Sequence, residues 1–154
     1  MALQDIHKTI GGGALALACC TATHFEGTRL KAYLDPVGIP TICMGETQGV
    51  ALGMVKSQQQ CDAMLKATMT KHLAYVDSRL KRKEPAPRRA ALASFAYNVG
   101  DGRFAKSSVL TLINQGKPIE GCNALLKYVY AGGVQLPGLV RRRTAEKDLC
   151  LAED

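Results

Sequence analysis

Residues 25–47 read FEGTRLKAYLDPVGIPTICMGET, and they hold two carboxyl groups and a hydroxyl group at a spacing that suits the hydrolysis of a glycosidic bond. This chemistry requires one carboxyl group that keeps its proton near neutral pH and a second one that is ionised. Glu26 follows Phe25 and precedes Gly27, a residue suited to ending a helix, so apolar surroundings would disfavour its charged form. We predict that Glu26 donates the proton to the leaving oxygen.

The second carboxyl group belongs to Asp35, which stands before Pro36 and Gly38 in a pattern typical of an exposed turn. Water and backbone amides keep a carboxylate ionised there, so Asp35 is predicted to hold or deprotonate the attacking water. The hydroxyl of Thr41, on a short extended run, can make a second hydrogen bond to that water. The spacing alone is weak, because a chain with thirteen acidic residues contains many such pairs on its surface.

Outside this stretch the sequence has the period of helices. Ser57 and Gln60 form a capping-box pattern, after which apolar residues recur at three- and four-residue steps as far as Leu80. A central buried helix is predicted to end at Gly100, and extended structure is expected only within about residues 30–50. Further helices are predicted at residues 108–114, 118–129 and 139–151. We expect a mainly helical α+β fold, in which a small β-hairpin lobe and a larger helical lobe flank a cleft.

Three segments carry a resemblance to a known family. They are residues 26–45, residues 94–110 (SFAYNVGDGRFAKSSVL) and residues 130–143 (YAGGVQLPGLVRRR). In this order they resemble the phage-type lysozymes, the endolysins of glycoside hydrolase family 24, and the resemblance covers nearly the whole chain. It implies a lysozyme-like fold and a muramidase that hydrolyses the β-1,4 bond between N-acetylmuramic acid and N-acetylglucosamine to lyse the host cell.

The resemblance also assigns site residues. The family's acid, water-positioning carboxylate and threonine fall on Glu26, Asp35 and Thr41, as the chemistry had suggested independently. Asn98 falls where the family places a substrate contact, although an Asn at a helix end before a glycine also serves to satisfy local carbonyl groups. Tyr128 stands where close members of the family often carry Trp. An aromatic residue at this position either stacks on a sugar or packs in the core.

One further departure from the family pattern concerns Glu46, which stands where many relatives carry His. The change removes a structural ion pair of the family or alters the pH profile. The three His residues of the chain are scattered without paired-ligand spacing, so neither a metal nor another cofactor is expected.

Twenty basic and thirteen acidic residues give a net charge of +7, which attracts polyanions. Nucleic acid is not the expected partner, because zinc-ligand spacings and RNA-binding aromatic motifs are missing from the sequence. The basic residues, such as the runs 81–83 and 141–143, are expected either to meet the bacterial envelope or simply to be solvated. Peptidoglycan is the expected partner, and the chain is expected to be a monomer.

Residues 9–23 read TIGGGALALACCTAT, without charge and with mostly small residues. This run is shorter than the roughly 18 apolar residues of a spanning helix. It is compatible with a signal-peptide core or with a buried helix that leads into Glu26. It also resembles the signal-arrest-release segment of certain lambdoid-type phage endolysins, and we favour this third interpretation. We take residues 1–24 as an N-terminal weakly hydrophobic segment and residues 25–154 as the catalytic domain. Export to the host periplasm is expected, with a transient inner-membrane association through residues 9–23.

Six cysteines favour an oxidising compartment. Among the complete pairings that six cysteines allow, we favour Cys43–Cys61, which brackets the hairpin lobe, and Cys122–Cys150 on successive C-terminal helices. Cys19 and Cys20 serve either as small apolar packing residues or as thiols that exchange after export.

Two rival functions differ in what they require. A lytic transglycosylase needs the glutamic acid but no water-positioning carboxylate, so it would tolerate Asp35→Asn and release an anhydro-sugar. A cationic membrane disruptor acting through the basic C-terminal helix would still lyse cells after the loss of Glu26.

Overall fold

The structure is a computed structural model that describes residues 13–153. Helices dominate this part of the chain, and its strands form two short antiparallel pairs. In chain order the helices are α1 (Ala14–Glu26), α2 (Gln58–Arg79), α3 (Ala86–Val99), α4 (Asp101–Ala105), α5 (Ser108–Asn114), α6 (Pro118–Ala124) and α7 (Pro137–Leu151). The strands are β1 (Arg29–Leu34), β2 (Pro40–Cys43), β3 (Tyr130–Ala131) and β4 (Val134–Gln135). The predicted fold class, α+β and mainly α, is confirmed.

The predicted β-hairpin is formed by β1 and β2, which pair Tyr33 with Thr41 and Leu34 with Pro40. Its turn is closed by the amide of Asp35, which donates to the carbonyl of Ile39 at 3.0 Å. The turn residues adopt this tight geometry because Gly38 takes a φ of 82°, a conformation that costs glycine little. The hairpin therefore holds Asp35 at its tip.

Helix α2 begins with the predicted capping box. The amide of Gln60 donates to the Ser57 hydroxyl at 3.1 Å, and the Ser57 amide donates to the Gln60 side chain at 2.8 Å. These two bonds satisfy donors that the first turn of a helix leaves without intrahelical partners. Helix α2 packs against α1 and α3 and also contacts β2, so it links the hairpin to the helical lobe.

Helix α3 is the predicted central buried helix. It packs against α1, α2 and α7, and its residues 90–96 are buried without interruption. Most of these side chains are small, which lets neighbouring helices approach closely on several sides, while Phe95 fills the larger gap towards Phe104 with an edge-to-face contact at 6.3 Å. The helix ends at Gly100, as predicted, with its amide bonded to the carbonyl of Ala96.

The C-terminal third differs from the prediction in two respects. The helix predicted for residues 118–129 ends at Ala124 and continues only as a 3₁₀ turn at Leu125–Lys127. Extended structure is not confined to residues 30–50, because β3 and β4 form a second hairpin. Its two-residue turn is Gly132-Gly133, both with positive φ, a composition that favours tight hairpin turns.

The N-terminal run becomes a helix that packs on the core. Leu17, Ala18 and Ala22 of α1 are buried, and α1 lies along α3. Residues 9–12 of the run predicted to associate with the membrane lie outside the described residues. Within residues 13–153, every helix is either too short or too polar to cross a membrane.

Both favoured disulfides are present. Cys43 pairs with Cys61 at a Cα–Cα distance of 5.1 Å, and Cys122 pairs with Cys150 at 5.6 Å. The first joins the end of β2 to the first turn of α2, and the second joins α6 to α7. Cys19 is a free thiol, as is Cys20, and burial raises the pKa of each. A raised pKa keeps both thiols protonated, the form that is a poor nucleophile.

Replacing the second disulfide by the Cys122→Ala/Cys150→Ala pair is expected to lower the free energy of unfolding by about 3 kcal/mol, because the bond closes a loop of 28 residues in the unfolded chain. Urea unfolding followed by circular dichroism measures this change. Cys19→Ala is the matched control, since it removes a thiol from a half-buried position without opening a loop. An equal loss in the control would mean that packing, and not the cross-link, gives the stability.

Candidate active site

Glu26 is the last residue of α1, and Gly27 ends the helix with its amide bonded to the carbonyl of Thr23. This position lets the side chain leave the helix and enter the space between the two lobes. The Glu26 side chain is 27% exposed, and its Oε1 accepts a hydrogen bond from Nη1 of Arg142 on α7. Glu26 thus combines partial access to solvent with one direct cationic partner.

Asp35 is fixed by its own turn. Its Oδ1 accepts hydrogen bonds from the amides of Val37 at 2.9 Å and Ile39 at 2.8 Å. Two backbone donors stabilise a negative charge on this carboxylate and fix its orientation. The turn therefore presents an oriented acceptor at the hairpin tip.

Thr41 lies on β2 and is buried. Its hydroxyl donates to the carbonyl of Ile39 at 2.9 Å, within the same hairpin that carries Asp35. Since a hydroxyl oxygen also has two acceptor sites, Thr41 keeps the capacity to accept a hydrogen bond from water.

A polar cleft of about 330 Å³ opens between the hairpin lobe and the helices. It lies where α1 ends, and its walls come from the turn after β2, the middle of α2 and the end of α3. The lining residues are Glu26, Met44, Gly45, Glu46, Thr68, His72, Tyr97 and Asn98. The structure thus brings Glu26 and Asn98 into one cleft. Asp35, Thr41 and Tyr128 are not among its described walls.

Glu46 lies in this cleft and accepts a hydrogen bond from the Thr68 hydroxyl at 2.9 Å. Tyr97 donates its hydroxyl proton to the Met44 carbonyl. Burial raises the pKa of Tyr97, and the negative charges of Glu46 and Glu26 raise it further. Tyr97 therefore stays protonated at any physiological pH and acts as a fixed donor that ties α3 to the turn after β2.

A second polar pair closes the α2 side of the cleft. Nδ1 of His72 lies 2.7 Å from a carboxylate oxygen of Asp101, and the imidazole packs edge-on against Tyr97 with ring centroids 5.5 Å apart. The sequence analysis considered the three His residues only as metal ligands, rejected that role, and did not predict that His72 lies at the cleft. In the described part of the chain, no three His, Cys, Asp or Glu side chains are grouped as a metal site requires.

Asn98 and Tyr128 have defined partners on the helical lobe. Oδ1 of Asn98 accepts from Nη2 of Arg143, and the Asn98 side chain lies at the exposed end of α3. The Tyr128 hydroxyl accepts from the amide of Ser108 at 3.1 Å, and its ring packs edge-on against Phe95 at 5.0 Å. The observed contacts of Tyr128 are thus packing contacts.

Arg142 and Arg143 are the site residues that sequence reasoning missed. The run 141–143 was read as envelope-binding or solvated, yet only Arg141 is exposed, while Arg142 is 4% and Arg143 0% exposed. The signal was present, because Glu146 stands four residues after one arginine and three after the other, the spacing of helical ion pairs.

A two-lobed, mainly helical fold with a glutamic acid at the end of helix α1 and a polar cleft beside it is the architecture of a lysozyme. The chain belongs to the phage lysozyme family, whose model matches residues 23–146. The resemblance drawn from the three segments and the expected lysozyme-like fold are both confirmed.

Individual members of the family and solved structures are similar to this chain over most of its length. The chain is 38% identical to the SAR-endolysin of Bacteriophage PS119 over an alignment that covers 96% of this chain and 93% of the relative. The muramidase domain of SpmX from Asticaccaulis excentricus superposes with a TM-score of 0.83 and 28% identity, covering 88% of this chain and 95% of that one. The active form of the P1 phage endolysin superposes with a TM-score of 0.80 and 26% identity, covering 97% and 91%.

Proposed function

We propose that this protein is an endolysin, a muramidase that hydrolyses the β-1,4 bond between N-acetylmuramic acid and N-acetylglucosamine in the peptidoglycan of a Gram-negative host and so lyses the cell. The observation that carries the proposal is the position of Glu26, whose carboxyl group enters a polar cleft between the hairpin lobe and the helical lobe. Membership of the phage lysozyme family supports the same reaction.

Glu26 is the general acid in this proposal. In the free enzyme the Glu26 carboxyl group contacts the Arg142 guanidinium, whereas a general acid must carry a proton when it meets the leaving oxygen. A sugar chain that fills the cleft displaces water from the carboxyl group, and the loss of water disfavours the charged form. Glu26 therefore takes up its proton as the substrate binds.

Asp35 orients and deprotonates the attacking water, and Thr41 accepts a second hydrogen bond from it. The two amides that hold the Asp35 carboxylate support this role, because they leave its second oxygen, Oδ2, to receive the water. Since no carboxylate is assigned as a nucleophile, the reaction follows an inverting course, for which the two catalytic carboxyl groups stand about 6.5–9.5 Å apart. Asn98 contacts an N-acetyl group from the cleft wall. Tyr128 is half-buried, and besides its packing contacts it contributes a stacking surface for the sugar chain.

The products of digestion test the reaction itself. Purified peptidoglycan is digested with the enzyme, and mass spectrometry is expected to find fragments that end in a reducing N-acetylmuramic acid. Nuclear magnetic resonance of the first product is expected to show the inverted α-anomer. Fragments that end in anhydro-N-acetylmuramic acid would assign the protein to the transglycosylases, and a retained β-anomer would reject the inverting course.

The N-terminal segment gives the proposed route to the substrate. We propose that residues 1–24 first enter the inner membrane through residues 9–23, that the chain is then released to the periplasm, and that residues 25–154 act there as a monomeric catalytic domain. The weakly apolar, uncharged character of this run supports the route, since a segment near the threshold of insertion leaves the bilayer at modest cost. The relatives named SAR-endolysin support it as well.

The cationic disruptor is disfavoured by the C-terminal helix. Arg142 and Arg143 of α7 are buried and paired with carboxylates, so they are not available to a lipid surface. The remaining cationic side chains of α7, Arg141 and Lys147, do not form the continuous basic face that such an activity requires.

A further inference from the structure

Glu146 on α7 is the most deeply buried carboxyl group that the proposed reaction does not use. Its side chain is 0% exposed. Oε1 accepts from Nε of Arg142 at 3.1 Å and from the hydroxyl of Ser94 at 2.7 Å, while Oε2 accepts from Nη1 of Arg143. A carboxylate at this depth requires such partners, because removing it from water without them is costly.

The two arginines that Glu146 binds each contact a residue that lines the cleft. Arg142 extends from Glu146 to the carboxyl group of Glu26, and it also contacts the carbonyl of Ser94 at 3.3 Å. Arg143 extends from Glu146 to Asn98. Glu146 is therefore the common anchor of the cation beside the general acid and of the cation beside a candidate substrate contact.

The charges in this cluster explain why the anchor matters. Two guanidinium groups face two carboxylates, and Glu146 is the carboxylate that touches both guanidinium groups. Burial lowers the pKa of Arg143, and the charge and hydrogen bond of Glu146 oppose this effect. Without the Glu146 charge, Arg142 would keep only its ion pair with Glu26, and Arg143 would lose its carboxylate partner.

Other groups around Glu26 do not replace this charge. Glu46 on the turn after β2, His72 on α2 and Tyr97 on α3 share the cleft with it, and each has a separate partner: Thr68, Asp101 and the Met44 carbonyl. On the far side of the cluster, Arg103 of α4 adds positive charge near Arg143. Within the described residues, Arg142 is thus the cation that contacts Glu26 directly. Glu146 in turn forms an ion pair with Arg142.

We propose that Glu146 is a positioning residue of the enzyme: it holds Arg142 against Glu26 and neutralises enough of the arginine charge to let Glu26 take up its proton when substrate binds. The proposal rests on the proposed role of Glu26 as general acid. Glu146 itself touches neither substrate nor the reacting atoms.

The variant Glu146→Gln tests the charge, because an amide keeps the size of the side chain and a carbonyl oxygen that accepts from an arginine. With the negative charge gone, the ionised form of Glu26 is favoured more strongly, so the alkaline limb of the kcat/KM profile is expected to move down by about one pH unit. A purely structural role predicts lower activity at every pH with the limb unmoved, and that result would overturn the proposal.

A matched control separates this local effect from the change in net charge. Glu120→Gln removes one negative charge from an exposed position in the first turn of α6 and should leave the alkaline limb in place. An equal shift in both variants would overturn the proposal. If Glu146→Gln does not fold, Glu146→Asp replaces it, since the shorter carboxylate reaches the two arginines less well and a smaller shift in the same direction is expected.

A measurement on the unchanged protein completes the test and does not depend on activity. Carbon-13 resonances of the glutamate carboxyl groups are followed from about pH 3 to about pH 9, a range that includes the ordinary pKa of glutamate. Glu146 is expected to remain ionised throughout the range in which Glu26 takes up its proton. Simultaneous protonation of both groups would refute the anchor role even in an active enzyme, whereas inactivity on peptidoglycan with the expected titration would refute the proposed function alone.

Discussion

Glu26→Gln is expected to lower kcat/KM on peptidoglycan by about 10²- to 10⁴-fold, which is the usual contribution of a general acid. The amide has nearly the same shape as the acid but does not supply a proton to the leaving oxygen. Its carbonyl oxygen still accepts from Arg142, which also keeps its contact with Glu146, so the buried arginine is not left without partners. We therefore expect the variant to fold like the wild type and to lose activity because it lacks the proton donor.

The measurement compares the fall in turbidity of outer-membrane-permeabilised Gram-negative cells treated with wild type and with the variant. Circular dichroism of both proteins checks that they are folded. Glu120→Gln again serves as the control, since it makes the same chemical change at an exposed site outside the cleft. Equal clearing by wild type and the folded Glu26→Gln protein would reject the glycosidase mechanism and restore the membrane disruptor.

Asp35→Asn is expected to reduce kcat/KM by about 10²-fold or more, with a smaller change in KM. An asparagine Oδ1 accepts the same two amides of Val37 and Ile39, so the hairpin turn is preserved. The neutral amide neither takes a proton from water nor stabilises the positive charge that develops on the sugar. The same turbidity assay, together with initial rates on purified peptidoglycan, measures the loss.

Asp62→Asn is the matched control. Asp62 is an exposed acid on the first turns of α2, and its described side-chain hydrogen bond is with the neighbouring Gln58. It should retain the activity of wild type. Retained activity in Asp35→Asn, with anhydro-sugar ends on the fragments, is the pattern expected of a lytic transglycosylase and would contradict an essential role for this carboxylate.

Much of the fold was predictable because its signals are local. The capping box of Ser57 and Gln60, the apolar period of α2 and the glycine after α3 each act within a few residues, and all three features are present in the structure. The second hairpin was missed even though Gly132-Gly133 is a strong turn signal. Its strands are only two residues long each, too short for an alternating apolar pattern to develop.

The site was predictable only in part. The chemistry of a glycosidic bond singled out Glu26, and the structure places it in a cleft together with Asn98. The partner of Glu26 was not predictable, because Arg142 is 116 residues away in sequence and lies in a run of three arginines that would ordinarily be solvated. The pairing with Glu146 helps to make the burial of two of those arginines tolerable, and it depends on the packing of α7 against α3.

The two cross-links tie the stability of this enzyme to the compartment in which it resides. Each disulfide is worth about 3 kcal/mol, and the total stability of a domain is typically about 5–15 kcal/mol. In the reducing cytosol neither bond persists, so the newly made chain is expected to lose a large share of its folding free energy there. A weakly folded chain is easier to thread through a translocation channel, and it regains its full stability only where oxidants close Cys43–Cys61 and Cys122–Cys150. If the chain is exported as proposed, oxidation beyond the inner membrane stabilises an enzyme that is less stable while it is being made.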